Sequence, residues 1–314
     1  MNKQRRLFLS QMSMLAGVAA INKPFASIAS VSKHVYSLHT AEHAVTIYHT
    51  NDLRGKMDAV YNNLGGINQV KDILAKEETN GLLLDAGNFL NNATSLRDHQ
   101  YIIRTMNNMG YTVASPGYNE LLNGQAHLAT LIPTMKFKLV NCNYGFDSEL
   151  SRSINPYVIV NTGKFKVGVT GVGPQLSGVR YNDAIQSANK VAALLKEKEN
   201  CDLVICLSQL EYKAKGNTPD NLKLAQQSEH IDMIIGGHSR KLTACPATTA
   251  NKLKRAVILS QAASEGLMLG RTIFNFENGK QSCTIKSKYF IPGQPNAEDF
   301  CASLAALRLK EKAA

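Results

Sequence analysis

The sequence predicts an α/β fold, and three observations carry that reading. Short runs rich in Val, Ile and Leu recur along the chain, each bounded by Gly, Asn or Asp as buried strands are. Between them lie segments whose apolar residues repeat at three and four spacing, the pattern of helices that cover a sheet. Polar clusters stand at the ends of the apolar runs, where loops on an α/β scaffold carry function.

The strand runs are "AVTIYHT" (44–50), "GLLLDAG" (81–87), "KLVNCN" (138–143), "PYVIVNTGKFKVGVTGV" (156–172), "CDLVICLS" (201–208), "IDMIIGG" (231–237) and "AVILSQA" (256–262). The helical segments are "GGINQVKDILAKEE", "RDHQYIIRTMNNMG", "GQAHLATLIPTM", "DAIQSANKVAALLKEKE" and "TPDNLKLAQQSE". Asp183 and Thr218 are expected as helix caps and Gly110 as a helix stop. "RTIFNFENGKQSCTIKSKYF" holds two alternating runs around Asn278-Gly279, a hairpin signal. Residues 31–43 are polar and expected to be a flexible lead-in, and "AEDFCASLAALRLKEK" reads as a closing amphipathic helix.

A chain of 314 residues, 44% hydrophobic and 19% charged, buries a large core and is neither disordered nor fibrous. Its first thirty residues carry Lys3, Arg5, Arg6 and Lys23, no acid, and an apolar stretch from Leu7 to Ala20, the layout of an export signal. "QRRLFLS" has the pattern of a twin-arginine signal, read here in preference to an ordinary secretory signal or an uncleaved anchor. The apolar stretch is short of the roughly 20 residues a bilayer needs, so no stable membrane anchor is expected after cleavage. The expected organisation is a signal over 1–30, one domain over 31–296 and a terminal helix over 297–314, in an exported, periplasmic or extracytoplasmic protein.

Loss of the signal's four cations lowers the formal charge from +11 to +7. The remaining basic clusters lack interleaved aromatics, which argues against nucleic acid as a partner. Cys142, Cys201 and Cys206 sit in or beside apolar runs and read as buried thiols. Cys245, Cys283 and Cys301 are freer to pair, in a connectivity the sequence leaves open. No C-x-x-C occurs, which argues against a thiolate zinc site.

The strand ends read "HTNDLRG", "LLLDAGNFL", "ASPGYNELL", "ICLSQLE" and "IIGGHSRK". Taken together and in this order, they resemble the catalytic domain of the 5′-nucleotidase family, part of the calcineurin-like metallophosphoesterase superfamily. "GGINQVKDIL", "MNNMGYTVASPG", "NPYVIVNTGKFKVGVTGV" and "GLMLGRTIFNF" support the match, which spans about residues 44 to 276. The resemblance implies a four-layer sandwich: two mixed β-sheets packed face to face and flanked by helices. It also implies phosphoric ester hydrolysis by two divalent cations (Zn, Mn or Fe), held by His and carboxylate donors, that activate a water for in-line attack.

Carried over position by position, the metal set is largely replaced. Asp52 remains, but Arg54 stands where the family has histidine, and Asn88 where it has the bridging aspartate. Tyr118 and Asn119 replace an amide ligand and the catalytic histidine, although Glu120 remains. Gln209 replaces another metal histidine; His238 survives as a weak candidate ligand, and Arg240 replaces its partner. A guanidinium has no lone pair to offer. Two positive charges about 4 Å apart repel by roughly 4 kcal/mol at an effective dielectric near 20, and a divalent ion fares worse. No catalytic residue and no bound metal are therefore expected.

Arg54 and Arg240 are expected to fill the vacated space and pair with Asp52 in a structural cluster, or else to bind a phosphate or nucleotide-like anion through their forked donors. His238 is expected to be a hydrogen-bonded core histidine, Tyr118 to fill space left by the lost metal, and Glu120 to support its loop. His49 is expected to point away from the cleft. Family enzymes carry a further C-terminal domain that holds the nucleoside, so a separate chain of that type is the expected partner. The function read from the sequence is thus an exported, catalytically degenerate relative acting as an anion-binding or partner module; the alternative is a weak phosphoesterase acting on nucleotides or related phosphate monoesters.

Overall fold

Each central strand presents alternate residues to two different apolar environments, and this period of two builds the layers. The structure, a computed structural model, describes residues 35–38, 43–61, 63–77, 80–238, 246–277 and 280–291. The chain begins with β1 (Val35–Leu38), β2 (Ala44–Thr50), α1 (Ile67–Lys76), β3 (Leu82–Asp85), α2 (Leu96–Met109) and β4 (Val113–Ala114). It continues through α3 (Tyr118–Leu121), α4 (Gln125–Leu131), β5 (Lys138–Val140), β6 (Tyr144–Gly145), β7 (Ile154–Asn155), β8 (Tyr157–Thr162), β9 (Phe165–Val172) and β10 (Arg180–Tyr181). Then follow α5 (Ala184–Glu197), β11 (Leu203–Ser208), α6 (Asn221–Gln227), β12 (Met233–Gly236), β13 (Ala247–Ala250), β14 (Ala256–Ser260), β15 (Leu269–Glu277) and β16 (Lys280–Phe290).

Two seven-stranded sheets result, ordered β16-β15-β2-β3-β4-β5-β7 and β1-β8-β9-β11-β12-β14-β13. Both are mixed: β2 to β5 run parallel while β15 and β16 are antiparallel, and β9, β11, β12 and β14 run parallel while β13 is antiparallel. Val45, Ile47, Leu82 and Leu84 of one sheet pack against Val167, Val169, Leu203, Ile205, Leu207 and Ile235 of the other. The intervening residues face outward: Tyr48 and Leu83 pack on α1 and α2, and Val204, Cys206 and Ile234 pack on α5 and α6. The fold is therefore the four-layer sandwich expected, with helices on both outer faces.

Local expectations hold where the deciding chemistry is local. Asp183 caps α5 through Gln186 N–H, and Gly110 ends α2 with φ 84°, a left-handed turn that glycine adopts at low cost. The run 156–172 is two strands, β8 and β9, turning at Gly163. Two expectations are corrected. The cap of α6 is Asp220, not Thr218, because the Asp220 carboxylate reaches Lys223 N–H at 2.7 Å. Part of the lead-in is a strand, since Val35–Leu38 pairs in parallel with β8 and supplies that sheet edge with partners. The export signal, Arg240, Cys245, the Asn278-Gly279 turn, the Cys283 side chain, Cys301 and the terminal helix lie outside the described residues.

Candidate functional site

Five strands of the two sheets end on the same rim. β2 leads into Asn51 and Asp52, β3 into Asn88, β4 into Gly117 to Glu120, β11 into Gln209, and β12 into His238. Asp52, Arg54, Asn88 and His238 all lie at positive φ, between 49° and 57°. Such left-handed backbone at non-glycine residues is uncommon and gathers at functional loops. Backbone bonds lock it in place: Asp52 N–H donates to Gly87 O, Arg54 N–H to Asn88 O, and Glu265 N–H to Asp52 O, each at 2.8–2.9 Å.

Asn88 is the centre of the rim. Its Nδ2 donates to Asp52 Oδ1 at 2.9 Å and to Gln209 Oε1 at 2.6 Å, and its Oδ1 accepts from Asn119 N–H at 2.9 Å. Gln209 in turn donates from Nε2 to Ala86 O at 2.8 Å. Asp52 Oδ2 accepts from His238 N–H at 2.8 Å and from Asn51 Nδ2 at 3.1 Å. These bonds tie the two sheets together at their carboxyl ends. Asp52, Asn88 and Gln209 are all buried. Two glycines pack closely against these amides: a Cβ on Gly117 would lie 2.6 Å from Asn88 Oδ1, and one on Gly237 would overlap Gln209 Nε2.

Two further carboxyl groups lie beneath. Glu120, fully buried, accepts from Gly117 N–H and Asn88 N–H on Oε2 and from Leu90 N–H on Oε1. Burial pushes its pKa up to about 7 against the pull of those N–H groups. Asp85 accepts from Thr50 Oγ1 at 2.6 Å and Gly87 N–H at 2.7 Å, while Thr50 also meets Tyr111 Oη. Burial holds Asp85 well above the usual carboxylate range.

No family model matches the chain. A search of curated proteins finds 5′-nucleotidase of Vibrio cholerae, 24% identical over 273 residues, which cover 75% of this chain and 49% of that protein. The trifunctional nucleotide phosphoesterase protein YfkN of Bacillus subtilis is 25% identical over 280 residues, covering 74% of this chain and 18% of that protein. Among solved structures, a 5′-nucleotidase precursor from Thermus thermophilus superposes with a TM-score of 0.69 at 23% identity, over 86% of this chain and 59% of that one. The chain is similar to 5′-nucleotidases in sequence, and to their solved structures in fold. It spans about half the length of the Vibrio 5′-nucleotidases it matches.

The 5′-nucleotidases are metal-dependent phosphoesterases, and the rim residues do not fit their ion pair. Asp52 is the one carboxylate of the set at the rim, and both its oxygens already accept hydrogen bonds. Asn88 turns an NH2 group, which has no lone pair for an ion, toward both Asp52 and Gln209. Among the described residues, no three His, Cys, Asp or Glu side chains gather as a metal site.

The structure brings Asp52, Asn88, Asn119, Glu120 and Gln209 together, while the side chains of Arg54, Tyr118 and His238 take no part in these bonds. Arg54 differs from the expected ionic cluster: among the described residues it forms no ion pair, because amide and N–H donors already occupy Asp52. Tyr118 fills no vacated space; its side chain is 50% exposed. His238 is not a core histidine, since its ring is open to solvent with Nε2 3.9 Å from Glu211 Oε1. His49, one residue before the motif's Thr50, is buried and meets Ser260 Oγ at 2.7 Å, away from the Asp52–Asn88 cluster. Sequence reading missed Asn51 and Asn119 as rim-bracing amides. Asn119 Nδ2 holds Leu90 O at 2.7 Å, a role only contact reveals.

Proposed function

We propose that this chain is an exported, non-hydrolytic relative of the 5′-nucleotidases that binds a phosphate-bearing, nucleotide-like anion at the strand-end rim. The observation that carries the reading is the Asn88 amide seated between Asp52 and Gln209, where its protons consume the oxygens an ion would need. The Arg54 guanidinium, with no ion pair among the described residues, supplies the anion's counter-charge on that rim in place of a metal, with Arg240 as its expected partner. Rim residues position and bind; none is assigned a proton-transfer role. The basic, apolar leader over residues 1–30 supports export. We also propose a separate C-terminal-type chain as its partner.

The test combines elemental analysis of the purified protein with phosphate and AMP binding by calorimetry. Metal-free protein that binds the anion, and loses at least tenfold in affinity in Arg54→Ala, is the expected result. Stoichiometric zinc or manganese with turnover of AMP returns the protein to the hydrolases. Co-purification from the periplasm tests the partner, and a lone monomer there overturns it.

A further inference from the structure

β16 stands at the edge of its sheet, paired with β15 on one side and, among the described residues, with no strand on the other. The other sheet edges are short: β7 has two residues, and β1 and β13 have four each, against eleven in β16. An edge strand turns every second N–H and C=O outward without a partner from its own sheet, and a short edge offers too few of them to seat a further strand. The ladder with β15 is regular from Phe290 back to Ile285 and shifts register before it, so Ile285–Phe290 is the open template.

The side chains of this stretch limit what can be added to it. With a period of two, Ile285 turns toward the apolar layer between the sheets, while Lys286, Lys288 and Phe290 lie on the opposite face. Lys286 and Lys288 are exposed, and neither forms an ion pair among the described residues. Glu77, the carboxylate that acts on Lys288, is engaged elsewhere: its Oε2 pairs with Arg271, the cross-strand neighbour of Lys288, and accepts from Tyr48 Oη at 3.1 Å. Lys288 Nζ stands instead 4.0 Å from the centre of the Phe290 ring, a cation–π contact that holds the ammonium over the strand.

We propose that Ile285–Phe290 seats an extended acidic segment of another polypeptide, added to the sheet as a further strand and independent of the rim. Backbone bonds supply affinity, and carboxylates at alternate positions of the incoming strand meet Lys286 and Lys288. The same lysines disfavour a second copy of this chain, since two β16 edges laid side by side would set one row of cations against another.

The test uses the full chain and a labelled peptide of alternating Glu and Val, followed by fluorescence anisotropy and by hydrogen exchange at residues 285–290, with an alternating Lys and Val peptide as control. The acidic peptide should bind, slow exchange at alternate amides of that stretch, and weaken as salt rises. Affinity should fall at least tenfold in the double variant Lys286→Glu, Lys288→Glu and stay unchanged in Lys190→Glu, which alters an exposed lysine of α5. Thermal melting shows whether the double variant folds; if it does not, the exchange pattern of the native chain decides alone. Absence of binding, equal binding of the basic peptide, protection elsewhere than 285–290, or a dimer of this chain protected at that stretch would each overturn the proposal.

Discussion

The rim around Asn88 and the His99–His127 pair lie on the same stretch of chain, yet their chemistries are opposite. At the rim, positions that match a metal-binding family are closed by their own bonds: one amide serves Asp52, Gln209 and the Asn119 N–H together. At the pair, two histidines outside any motif, with His99 Nδ1 2.9 Å from His127 Nε2, share a single proton and leave one side facing solvent. Similarity to a family therefore indicates where to look for a site, while the bonds already made indicate what its side chains have left to offer. The rim's left-handed backbone at Asp52, Arg54 and Asn88 is held by its own backbone bonds.

The strongest attempt to break this contrast is Asn88→Asp. A carboxylate set against Asp52 Oδ1 and Gln209 Oε1 should cost about 3–5 kcal/mol in denaturant unfolding without divalent ions. Recovery of that loss by Mn2+ or Zn2+ would show that the rim still accepts ions. Glu120→Ala should cost about 3 kcal/mol by the same measurement, because three buried N–H groups lose their acceptor.

Titration sharpens the contrast through its sign. Burial lowers the His49 pKa from 6.5 to about 3, so its contribution is complete above pH 6.5 and lost as pH falls toward 3. At about 1.4 kcal/mol per unit this removes roughly 2 kcal/mol between pH 6.5 and 5. Glu120 opposes it: with its pKa raised from 4.5 to about 7, the folded state holds the proton longer, and stability is lost as pH rises through that window. Urea unfolding from pH 5 to 7 should therefore show a steeper acid loss in Glu120→Gln and the reverse slope in His49→Gln.

Smaller effects test the rim's packing. Gly117→Ala should cost about 1–3 kcal/mol by overpacking against Asn88 Oδ1. Asn119→Ala, which removes the bond to Leu90 O, should cost about 1 kcal/mol. Thermal denaturation of both variants checks the order.

Much of this was legible in the residues. The apolar runs "AVTIYHT" and "GLLLDAG" read as buried strands, whereas only the packing of layers decided that Val45, Ile47, Leu82 and Leu84 lie between the sheets with Tyr48 and Leu83 outside. Ordered polar clusters at strand ends located the rim, and Asp183 and Gly110 marked helix ends by bonds to near neighbours. Contacts between residues far apart in the chain were not legible. Asn88 meets Gln209 across 121 positions and His99 meets His127 across 28, and only the packing of layers decides such pairs. The same packing gave Asp52 to amide donors rather than to Arg54, two residues away: a buried carboxylate takes the donors fixed around it, and sequence spacing does not say which those are.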